Sequence, residues 1–80
     1  MNEDRIKRRI RSLTNSELLD WASLAVSGMM RHLDEFRRSP DEAHLGEVSL
    51  ASVTLGYMCD ELAERHRRAQ NRLDSAPHAE

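Results

Sequence analysis

Eighty residues with a formal net charge of −2 allow one small domain and exclude a generically basic nucleic-acid binder. Only three glycines and two prolines punctuate the chain, and aromatics are 4%, which excludes a β-sandwich or a disordered tract and reads as all-α. Cys59 is the only cysteine, so no internal disulfide forms, and a reducing, cytoplasmic location is expected.

The first predicted element is a short amphipathic helix over residues 3–13, EDRIKRRIRSL. Glu3 and Asp4 suit a helix N-terminus. Ile6, Ile10 and Leu13 fall on one side, and Arg5, Lys7, Arg8, Arg9 and Arg11 take the rest. The pattern serves a basic arm for nucleic acid or an anionic membrane. It equally serves a helix that docks by its apolar side, and docking is the expectation. No apolar segment follows these basic residues, so no secretory signal is expected.

Thr14-Asn15-Ser16-Glu17 is a capping box, with Thr14 as N-cap and Glu17 at N3. The apolar phase slips by one between Leu13 and Leu18. A second helix is therefore predicted over 15–38, with one continuous helix from residue 3 as the alternative. Leu18, Leu19, Ala22, Ala25, Val26, Met29, Met30, Leu33 and Phe36 form an apolar arc covering about half its circumference. Trp21 sits at the edge of the arc, and Leu24 lies outside it beside Gly28.

Ser39-Pro40-Asp41-Glu42 predicts the next start, with Ser39 as N-cap and Pro40 at N1. The chain should fold back antiparallel there, into a long third helix over 40–73. Residues 74–80 read as a flexible tail. Inside the third helix lies Val48–Cys59, VSLASVTLGYMC, twelve residues without a charge in a chain that is 32% charged. Its β-formers admit a buried strand. Against that, Leu45, Val48, Ser52, Leu55, Cys59, Leu62, His66, Ala69 and Leu73 keep a 3-4 spacing through the stretch and beyond it, which predicts a helix with a heptad seam. Leu50, Val53 and Tyr57 form a second stripe on the other face. The stretch is too short to span a bilayer, which needs about 20 residues.

The expected fold is an all-α antiparallel helical hairpin of two long helices with a short N-terminal amphipathic helix. A lone core of this size supplies only about 3–5 kcal/mol, so two copies are expected to pair into a four-helix bundle. The hairpin seam is assigned to Leu18, Ala22, Ala25, Met29, Leu33 and Phe36 against Val48, Leu55, Cys59 and Leu62. Trp21, Leu24, Leu50, Val53 and Tyr57 are left for the partner, either a second copy or another protein. Gly56, with Ser49 and Ser52, is read as a close helix crossing.

Function is expected to be non-enzymatic, through protein–protein interaction. The alternative is a nucleic-acid-binding regulator. Folding back brings Arg65, Arg67, Arg68 and Arg72 beside Arg5, Arg8, Arg9 and Arg11, a basic end that phosphates would favour, although i,i+4 pairs Glu61–Arg65 and Glu64–Arg68 dilute it. A third reading rests on Glu17, Asp20, Glu61 and Glu64, which come level across the hairpin and could hold Mg²⁺. Their spacing is similar to the ExxE and ExxD pairs of all-α nucleotide pyrophosphatases, in a different order. All four map to outward faces, which reads as solvated charge. His32, His44, His66 and His78 lack the i,i+4 spacing of a metal pair. Cys59 has no accompanying His or Asp motif, and no Gly-rich phosphate loop occurs. No catalytic residue, cofactor or metal is expected.

Overall fold

The computed structural model describes residues 2–75 as three helices, α1 (Asn2–Arg11), α2 (Asn15–Arg38) and α3 (Glu42–Ser75). The uncharged stretch is helical throughout, and the described residues contain no strand. Asp74 and Ser75, expected within the tail at 74–80, belong to α3; residues 76–80 lie outside the described residues.

Thr14 separates α1 from α2. Its hydroxyl accepts the Glu17 N–H at 3.1 Å, while its own N–H donates to Glu17 Oε1 at 2.8 Å. This reciprocal pair satisfies donors that a helix start otherwise leaves open. It ends the alternative of one continuous helix. At the other turn the capping differs from expectation. Ser39 closes α2, its N–H donating to the Glu35 carbonyl at 2.8 Å. Asp41, not Ser39, opens α3, its carboxylate accepting the Ala43 N–H at 3.0 Å. Ser39 precedes a proline and is held out of the α region, so it serves the end of one helix rather than the start of the next.

α2 and α3 pack as an antiparallel hairpin. α1 folds back on its open end. Glu3 reaches Tyr57, and the carbonyls of Ile10 and Arg11 reach Arg65, so α1 runs alongside α3 in the same direction. The fully buried core is small: Ile10, Leu13, Leu18 and Met58. It lies wholly where the three helices meet. Ile6, Ala22, Ala25, Leu55, Tyr57 and Leu62 pack around it.

The seam of α3 is rotated from the expected one. Val48, Leu55, Leu62 and Ala69 are half-buried as anticipated, and Leu55 and Leu62 pack against the core. The alternating positions are not: Leu45, Ser52, Cys59, His66 and Leu73 are exposed, and at all but the last the preceding residue, His44, Ala51, Met58 or Arg65, turns inward in its place. Exchanging every second position for its neighbour turns the buried stripe by about 50°. On α2, Leu33 is likewise exposed and His32 takes its place. Gly56 marks no crossing within the chain, since a Cβ there would meet nothing within 4 Å.

The molecule is a thin rod, with Cα extents of 65 × 27 × 15 Å. Its radius of gyration is 17.2 Å, against about 12 Å for a compact chain of this length. Away from α1 the body is a single layer of two helices. Only where α1 adds cover can a side chain be surrounded. No helix is long and apolar enough to cross a membrane among the described residues.

Candidate functional site

The groove between α2 and α3 that seats α1 continues past it toward the turn. There it is open, with a volume of about 410 Å³, lined by Trp21, Leu24 and Ala25 from α2 and Leu50, Ala51, Thr54 and Met58 from α3, with Glu47 as its one charged side chain. Leu24 and Leu50 are 69% and 61% exposed. Val53 is also exposed and, three residues from Leu50, sits further round α3. Of the five residues assigned to a partner, α1 already reaches two, Tyr57 and, through Arg9, Trp21. The Tyr57 hydroxyl donates to Glu3 Oε2 at 2.6 Å, and the Lys7 ammonium lies 5.0 Å from the Tyr57 ring centre. The opposite flank of α2 also carries exposed apolar side chains: Leu19, Val26, Met30 and Leu33.

The basic end is more tied up than the sequence implied. Arg65 is locked in place. Its guanidinium donates to Glu61 at 2.8 Å, to Asn15 Oδ1 at 2.7 Å, and to the carbonyls of Ile10 and Arg11 at 3.4 and 3.2 Å. One side chain thus closes the C-terminal end of α1, holds the start of α2 and fixes both to α3, and a cation suits the negative end of α1. Arg67 and Arg68 both bond Glu64, at 2.7 and 3.4 Å, and hold its carboxyl below the ordinary range. Lys7 pairs with Glu3 at 3.5 Å, and the Arg9 guanidinium lies over Trp21, 5.6 Å from the ring centre. At this end Arg5, Arg8, Arg11 and Arg72 are exposed and enter no ion pair among the described residues.

The four carboxylates weighed for Mg²⁺ are not gathered. Glu17 is held in the capping box, Asp20 is exposed, and Glu64 serves two arginines. Glu61 does not face outward as expected; it is half-buried under Arg65.

A different set converges at the hairpin tip. His32 and Glu35, one turn apart on α2, meet His44 from the first turn of α3. The two Nδ1 atoms are 3.2 Å apart. Glu35 Oε1 lies 3.7 Å from His32 Nδ1 and 3.6 Å from that of His44. The sequence spacing of the histidines hid this site, because it is made across the turn rather than along one helix. A sequence cue existed: His32 and His44 lie within two helical turns of the fold-back, one on each side.

Fold and groove together define an all-α helical hairpin with a third helix docked on one end and an open apolar channel on the other. Comparison with protein-family models, with curated proteins and with solved structures gave no match.

Proposed function

We propose that this protein is a non-enzymatic interaction module, and that the occupant of the open groove is a second copy of the chain. The observation that carries the reading is the contrast between the two halves of one groove. At the open end α1 supplies a third layer, and the core is buried. Toward the turn nothing supplies it, and Leu24, Leu50 and Val53 stand more than half exposed. Burial of such side chains contributes about 1.5–3 kcal/mol each. A second hairpin laid over the turn half would give that half the depth α1 gives the other, forming a four-helix bundle with α1 at its ends. A two-fold dimer covers both open grooves with one kind of interface.

Sedimentation equilibrium tests it. The wild-type chain should sediment at twice the chain mass. Leu50→Asp and Leu24→Asp should each give a monomer that keeps its helical circular dichroism, because neither side chain supports the single hairpin. A wild-type chain that remains monomeric at millimolar concentration overturns the reading and leaves the groove to a different protein.

A further inference from the structure

We propose that His32, Glu35 and His44 form a binding site for a borderline divalent metal ion, of which Zn²⁺ is the type. The site is independent of the dimer reading, and its argument starts from distances. Two imidazole nitrogens bound to tetrahedral Zn²⁺, at about 2.0–2.1 Å each, are about 3.3–3.4 Å apart. The observed separation of the two Nδ1 atoms is 3.2 Å. A carboxylate oxygen completing the same coordination sits about 3.3–3.5 Å from each nitrogen. Glu35 Oε1 is 3.7 and 3.6 Å from them, which a small rotation of an exposed carboxylate closes.

The chemistry of the set points the same way. At 3.6–3.7 Å the carboxylate is too far to bond either ring nitrogen. A hydrogen bond between the two neutral rings consumes one Nδ1 proton and leaves the carboxylate with no share in it. A cation among the three satisfies all of them. Two imidazoles and one carboxylate select zinc-like ions over Mg²⁺ or Ca²⁺, which want oxygen.

The elements hold the set in place. His32 and Glu35 share one face of α2 at i,i+3. The Asp41 cap fixes the first turn of α3, where His44 sits. Both histidine side chains are about a quarter exposed, at 26% and 25%, so the ligands are ordered yet reachable. The fourth position opens on a cleft of about 250 Å³ lined by Glu35, Arg38, Ser39 and His44. The guanidinium of Arg38 opposes a bare cation and favours an anionic or hydroxide ligand there. The ion would clamp α2 to α3 at the turn, where no side chain is fully buried.

The test uses the full chain carrying Cys59→Ser, so that the exposed thiol does not compete. Calorimetric titration with Zn²⁺ should give one saturable site per chain. Co²⁺ should give the visible d–d bands of a four-coordinate ion. The melting temperature should rise with Zn²⁺, as it does for a ligand that binds only the folded state. His32→Gln and His44→Gln should each weaken binding at least about tenfold, by analogy with the cost of even supporting-residue changes at zinc sites. His66→Gln, on an exposed histidine away from the tip, should leave it unchanged. Binding that survives the double variant His32→Gln/His44→Gln, or no saturable binding by a chain whose circular dichroism shows it folded, overturns the site.

Discussion

Arg65 is the residue on which the open end turns. Its bonds to Asn15, Glu61 and two carbonyls of α1 join all three helices through one guanidinium, whose side chain is only 20% exposed. Arg65→Met keeps the apolar stem and removes the fork. It leaves Glu61 half-buried without its partner and two helix-end carbonyls without donors, and should cost about 2–4 kcal/mol in urea denaturation. Adding Glu61→Leu should recover part of that loss, because the stranded charge goes with it. The Tyr57–Glu3 bond makes a prediction in pH. Donation from the Tyr57 hydroxyl, helped by the Lys7 charge, holds the Glu3 carboxyl below its ordinary range. The same bond, with some burial and the Glu3 charge, raises the Tyr57 phenol above its own. A depressed carboxyl adds stability that is present above its unfolded pKa and lost as pH falls through the folded one. A raised phenol adds stability that is present below its unfolded pKa and lost as pH rises through the folded one. Both losses belong to one contact. Tyr57→Phe should therefore flatten the dependence of melting temperature on pH at both extremes and change its slope little near neutrality.

At the scale of the element, α1 explains most of the core. A ten-residue helix is too short to persist alone in water. It is held by Ile10 and Leu13, which are buried against Leu18 and Met58, and by the Arg65 fork. Ile10→Ala should cost about 2–5 kcal/mol, the range for removing a buried aliphatic side chain. Hydrogen exchange should show the whole of α1 losing protection together, with the turn half of the hairpin unaffected. If α1 kept its protection, the docking contacts described above would not be what holds it. The start of α2 depends on a local device, the capping box. The start of α3 depends on Asp41 once Ser39 is taken by α2.

At the scale of the whole molecule, thinness is the dominant fact. A rod 65 Å long and 15 Å thick cannot surround its side chains, so apolar groups remain on both flanks of α2. Association that covers them is driven by apolar burial, which salt weakens little. The mass of the proposed dimer should therefore hold between about 0.05 and 0.5 M salt. Binding to nucleic acid would fall by orders of magnitude over that range. Loss of the dimer at high salt would assign the contact to the charged surface instead.

The sequence alone determined that the chain is helical, where α2 runs, and that the chain turns back near residue 39. Those features rest on local rules: the Thr14–Glu17 box, the proline at 40, and a heptad repeat long enough to outweigh the β-formers inside it. The phase of that repeat was not legible. Between Val48 and Cys59 every residue is apolar or small, so Ser52 and Cys59 read as seam no worse than Ala51 and Met58. Beyond that stretch the same register was carried through Leu45 and His66, which left their neighbours His44 and Arg65 facing water. Both point inward because the fold hands each of them a partner: His32 and Glu35 across the turn for one, and α1, with Asn15, for the other. Tertiary structure decided those positions, since a charged or hydrogen-bonding group goes to the interior when its partner waits there, and that partner lies nine or more residues away in the chain.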